Sequence, residues 1–66
     1  MRELKVSGMT CGHCEAAVRR ALEAVPGVNV VISVDRERGI AAVEGNADDA
    51  ALIAAIKAEG YQASAD

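Results

Sequence analysis

The chain reads as an α+β domain in which a four-stranded antiparallel sheet carries two helices on one of its faces. Three observations predict this. Apolar and polar residues alternate in the N-terminal segment, whereas two later stretches repeat their apolar positions every three or four residues. β-Branched residues cluster around one charged turn between those two helical stretches. The resulting order, strand–helix–strand twice, divides 66 residues into two units of similar length. That length suits one small domain over residues 1–66, near the lower limit for a core that folds without help.

Arg2 to Ser7 sets Leu4 and Val6 between charged neighbours, the pattern of a half-buried strand. A loop holding both cysteines follows. From Cys14 the apolar positions Cys14, Ala17, Val18, Ala21, Leu22 and Val25 form one helical stripe. Glu15 suits the positive end of the helix dipole and stands four residues before Arg19, the spacing of an ion pair. Pro26-Gly27 ends this helix, since proline disfavours a helical Val25 and lacks the N–H to continue. Val28 to Val34 is a β-branched strand with Val30, Ile32 and Val34 expected on one face. Asp35-Arg36-Glu37-Arg38-Gly39 makes a charged turn, and Ile40 to Glu44 returns as the second arm of a hairpin with Ala41 and Val43 inward. Gly45-Asn46-Ala47 interrupts the pattern. Asn46 or Asp48 is expected to cap the next helix, which runs to about Glu59 with Leu52, Ala55 and Ile56 as its stripe and Lys57 near its end. Gly60 is placed as the residue after its cap, and Tyr61 to Ala65 forms a short last strand.

The short hairpin turn makes its two strands antiparallel. Right-handed crossovers then favour the split, ferredoxin-like βαββαβ arrangement. Followed up and down, the chain brings Gly60-Tyr61 to the same end of the domain as the cysteine loop.

Composition limits the function. Hydrophobic residues make up 52%, much of it alanine, and Tyr61 is the sole aromatic residue, so the core is expected to be thin and aliphatic. A formal net charge of −3, a pI near 5.0 and no basic cluster beyond a pair argue against nucleic acid as partner. No apolar run is long enough for direct membrane insertion, and Met1 to Lys5 lacks the apolar stretch of a secretory signal. The expected compartment is therefore the cytoplasm, where a Cys-x-x-Cys pair more often binds metal or performs catalysis than forms a structural disulfide.

The loop Gly8-Met9-Thr10-Cys11-Gly12-His13-Cys14 contains both cysteines, the sole histidine and one of two methionines. Two thiols separated by two residues can close on one soft ion. A helix start also presents unpaired N–H groups that favour thiolate, the form that binds metal. Soft sulfur selects Cu(I), Zn(II), Cd(II), Hg(II) or iron–sulfur clusters; zinc asks for four ligands, and this loop offers two strong ones. A dithiol redox site is the rival from another class. Against it, thioredoxin-like sites follow a long parallel-sheet strand and usually place proline where Gly12-His13 stands here. Met9 reads as core rather than as a thioether ligand. His13 reads as solvent-facing, its imidazole a ligand only in a shared or dimeric site.

The motif Gly-Met-Thr-Cys-x-x-Cys after a first strand, Pro26-Gly27-Val28 after the first helix and Glu59-Gly60-Tyr61 before the last strand together resemble the heavy-metal-associated domain. The resemblance covers the whole chain and, at this size, is similar to bacterial cytosolic copper chaperones of the CopZ type. It implies that Cys11 and Cys14 are Cu(I) ligands, that Met9 anchors the loop from beneath and that Tyr61 flanks the metal. In the family, zinc- and cadmium-handling versions often add a carboxylate beside the first cysteine; here that position is Thr10. The expected function is a non-enzymatic Cu(I) chaperone that exchanges copper, thiolate for thiolate, with the metal-binding domains of a copper-transporting P-type ATPase. An exposed two-thiolate site also leaves room for a copper-bridged homodimer. An Hg(II)-, Zn(II)- or Cd(II)-binding domain of the same fold and a dithiol redox protein stand as alternatives. The mercury-binding members are typically periplasmic, which the absence of a signal sequence disfavours.

Overall fold

The computed structural model describes residues 2–10 and 12–65. Its elements are β1 (Arg2–Ser7), α1 (Gly12–Glu23), β2 (Val28–Asp35), β3 (Ile40–Gly45), α2 (Asp49–Ala58) and β4 (Gln62–Ala65). The strands form one antiparallel sheet in the order β2-β3-β1-β4, so the N-terminal strand lies inside and pairs with both β3 and β4. This is the ferredoxin-like βαββαβ fold. Leu4, Val6, Val31, Ala41 and Val43 of the sheet meet Val18 and Leu22 of α1 and Leu52 and Ile56 of α2 in one cluster. Leu4, Leu22, Leu52, Ile56, Val18 and Val43 lose essentially all contact with solvent. Each such side chain contributes about 1.5–3 kcal/mol relative to exposure, which is how an almost aromatic-free core suffices.

Strand β2 departs from the expected phase. Val30 and Ile32 are 50% and 45% exposed, whereas Val31 is buried. The pairing with β3 slips between Val28 and Val30 and again between Val31 and Ser33, leaving Asn29 and Ile32 as the extra residues of two bulges. Each insertion reverses the alternation. The core-facing set is therefore Val28, Val31 and Val34, at intervals of three rather than two. In β3, Ala41 and Val43 do face inward. Ala42 is also buried although it points to the other face, because Glu3 of β1 and Ser33 of β2 flank its short side chain.

Two local pairings also differ from expectation. Glu15 does not engage Arg19. Its carboxylate accepts hydrogen bonds from the Arg36 backbone N–H (2.8 Å) and from Arg36 Nη1 (3.3 Å), while Arg19 Nη1 donates to the Val31 carbonyl (3.2 Å). Asp48 occupies the N-cap position of α2 with extended backbone, but its side chain makes no capping hydrogen bond.

The C-terminus of α2 closes as the glycine placement predicted. Gly60 N–H donates to the Lys57 carbonyl (2.9 Å) and Tyr61 N–H to the Ile56 carbonyl (3.4 Å), with Gly60 at φ +95°. This pair of bonds is the Schellman motif. It also explains why β4 starts at Gln62: the Tyr61 amide is turned back onto the helix rather than into the sheet.

Candidate metal centre

Gly8, Met9 and Thr10 lead out of β1 toward α1, whose first turn carries Gly12, His13 and Cys14. Gly8 has φ +96°, a left-handed conformation that a side chain would strain. The turn sends Met9 inward, where it is 9% exposed and belongs to the core cluster. Thr10, Gly12 and His13 are exposed. Cys14, in the first turn of α1, is half-buried and packs against the core. Thr10 Oγ1 lies 3.7 Å from Cys14 Sγ, within hydrogen-bond range for sulfur. Once that sulfur is a thiolate, the hydroxyl is the donor. Cys11, the other sulfur of the expected pair, lies outside the described residues.

Tyr61 comes to the same end of the molecule. It is half-buried against the core, and its Cδ1 would stand 3.5 Å from a Cβ built on Gly8. The junction of α2 and β4 thus packs on the loop between β1 and α1, as the up-and-down course of the chain requires.

A third segment also reaches this end, and reading along the sequence missed its side chain. The turn between β2 and β3 is organised by Asp35, whose Oδ1 accepts from the N–H groups of Glu37 (2.9 Å) and Arg38 (3.1 Å), and it closes through Gly39 N–H on the Asp35 carbonyl (2.9 Å). Val6 N–H donates to the Gly39 carbonyl (2.7 Å), which ties the turn to the end of β1. Arg36 extends from this turn to Glu15, and its Nη1 lies 3.6 Å from where a Cβ on Gly12 would be. The same topological reasoning that located Tyr61 was the available signal, since this hairpin turn points to the same end. Thr10 facing Cys14 had a weaker one, a spacing of four residues across a helix start.

Among the described residues no three His, Cys, Asp or Glu side chains gather closely enough to hold a metal. Cys14 stands in the first turn of α1, near the positive end of the helix dipole, and the Thr10 hydroxyl stands beside its sulfur. The thiolate is the metal-binding form of such a sulfur.

The burial of Met9 yields a test of its role. Met9→Leu conserves volume and is expected to cost less than about 1.5 kcal/mol in a urea melt. Metal affinity should stay within about twofold of the parent. A large loss of affinity with unchanged melting would identify the thioether as a ligand instead.

The model of the heavy-metal-associated domain matches residues 3–62. Over 62 residues the chain is 40% identical to copper-transporting ATPase 2 of Rhizobium meliloti (strain 1021), covering 91% of this chain and 8% of the ATPase. Over 66 residues it is 47% identical to the mercuric reductase of Serratia marcescens, covering 96% of this chain and 14% of the reductase. The chain thus spans only a small fraction of the length of these curated relatives. Its structure is similar to that of the copper chaperone of Enterococcus hirae in the apo form, with a TM-score of 0.91 and 30% identity over the full length of both chains.

Proposed function

Since this chain belongs to the heavy-metal-associated domain family, we propose that it is a cytoplasmic Cu(I) carrier rather than an enzyme, with Cys11 and Cys14 as the two metal ligands. The observation that carries the reading is the contact of Thr10 with Cys14: a neutral hydroxyl stands 3.7 Å from the sulfur at the position where a carboxylate would add a hard oxygen ligand. Two thiolates without that oxygen suit Cu(I), which accepts low coordination, and serve Zn(II) poorly. Likeness to the copper-transporting ATPase and to the copper chaperone supports the same choice.

Transfer follows from the geometry of the rim. Cys14 is half-buried, so its sulfur is held by the core on one side and reachable from the other. A partner's thiolate adds to the copper as a third ligand, one of the two resident sulfurs then dissociates, and repetition hands the ion over without releasing it. The helix start and Thr10 stabilise the sulfur that is left behind. Tyr61 covers the side of the loop next to Gly8 and restricts water and small thiols. The metal-binding domains of a copper-transporting P-type ATPase are the proposed partners, and two copies of this chain bridged by copper use the same exchange.

Hg(II) is the second reading, supported by the 47% identity to a mercuric reductase, since two thiolates also satisfy Hg(II). Anaerobic titration of the reduced protein with Cu(I), Zn(II) and Hg(II) under competition tests both. One equivalent of Cu(I) and preference over Zn(II) by several orders of magnitude are expected; comparable occupancy by Zn(II) would sink the proposal. Turnover of disulfide in an insulin-reduction assay would instead identify a redox enzyme.

A further inference from the structure

We propose that Arg36 is a specificity-determining residue of this centre, favouring the anionic dithiolate complex of Cu(I) over the neutral one of Hg(II). This rests on the reading of Cys11 and Cys14 as ligands. Two thiolates around Cu(I) carry a net charge of −1, whereas two around Hg(II) carry none. A fixed cation nearby therefore stabilises the first complex and leaves the second almost unaffected.

The cation is fixed by contacts from two directions. Arg36 N–H and Nη1 both donate to the Glu15 carboxylate, at 2.8 and 3.3 Å, which docks the hairpin turn onto the first turn of α1. Its Nη1 lies 3.6 Å from where a Gly12 Cβ would stand, so the guanidinium rests against the backbone two residues before Cys14. Glu15 itself follows Cys14 directly. Unpaired, that carboxylate would oppose an anionic complex; paired with Arg36, it does not. Removing Arg36 thus takes away the positive charge that offsets Glu15 and leaves that repulsion uncompensated, which disfavours Cu(I). The side chains of Arg36 and Glu15 are 42% and 28% exposed. Solvent screens the effect, and the expected change is about three- to tenfold.

Cu(I) and Hg(II) affinities of the reduced full chain, each measured by chelator competition at low and high salt, test the proposal. R36Q is expected to weaken Cu(I) binding about three- to tenfold, to leave Hg(II) within twofold, and to lose most of the difference at 1 M salt. R36K keeps the charge and the backbone N–H bond to Glu15 without the guanidinium and should restore most of the Cu(I) affinity, while adding E15Q to R36Q should recover part of it. Equal losses for both metals would mean that Arg36 only tethers the hairpin, and would overturn the proposal, as would an unchanged Cu(I) affinity in R36Q. Either result leaves the two-thiolate reading standing if C14S abolishes wild-type binding. Wild-type Cu(I) affinity retained in C14S overturns that reading and this inference together.

Discussion

Cys14→Ser is expected to abolish tight Cu(I) binding while the domain remains folded. The substitution exchanges a soft sulfur for a hard oxygen of similar size at a half-buried position in the first turn of α1. Packing changes little: the neighbouring core side chains Val18 and Leu22 keep their places, and serine is well accepted at a helix start. The coordination chemistry changes completely, because a serine hydroxyl is neither anionic at neutral pH nor soft. A two-thiolate site reduced to one thiolate should lose several orders of magnitude in affinity, and Cys11→Ser is expected to behave alike. Competition with a Cu(I) chelator measures the loss, and thermal melting should place both variants within a few degrees of the parent. A single variant that still binds one equivalent as tightly as the parent would remove the two-thiolate model.

The largest stability effect is expected at Gly45, at the end of β3 away from the cysteine loop. This residue has φ +144°, and a Cβ there would lie 2.1 Å from the Gly27 carbonyl oxygen, 2.8 Å from the Asn29 nitrogen and 3.0 Å from the Val28 Cα. All three are backbone atoms, so no side chain can swing aside. The Gly27 carbonyl is further held by the Asn46 N–H at 2.8 Å, which joins the exit of β3 to the turn after α1. Gly45→Ala must therefore separate two main-chain segments as well as strain its own backbone. A cost of about 3 kcal/mol or more is expected. A domain of this size has only about 3–10 kcal/mol in total, so the midpoint should fall by about 12 °C or more. Gly60→Ala is the comparison: it shares a positive φ, yet nothing lies within 4 Å of a Cβ there. Its cost should be near 1 kcal/mol, the backbone preference alone. Urea melts of both variants measure the difference, and equal costs would show that the close approach at Gly45 has no energetic weight.

Much of the frame is legible from residue order alone. Leu4 and Val6 alternate within a continuous strand, so their burial needs nothing beyond a period of two. Val18, Leu22, Leu52 and Ile56 follow helical spacing and all reach the core. Gly60 marks a helix end because few residues other than glycine accept that backbone, and the Schellman bonds form around it. The order of strands and helices is also enough to bring Tyr61 to the end of the domain where the cysteine loop lies.

Residue order alone sets the features confined to one element: period, termination, chain order, and the loop whose motif identifies the family. Whatever depends on a partner distant in sequence is settled only by folding. Val31 rather than Val30 and Ile32 faces the core because two bulges arise from pairing with β3, and no local period records a neighbour's register. Glu15 chose Arg36 over the nearby Arg19 because the hairpin brings both a backbone N–H and a guanidinium to one carboxylate, a combination an i, i+4 pair on a helix cannot offer. The clamp beside Cys14 therefore exists only once β2 and β3 have turned back over the start of α1.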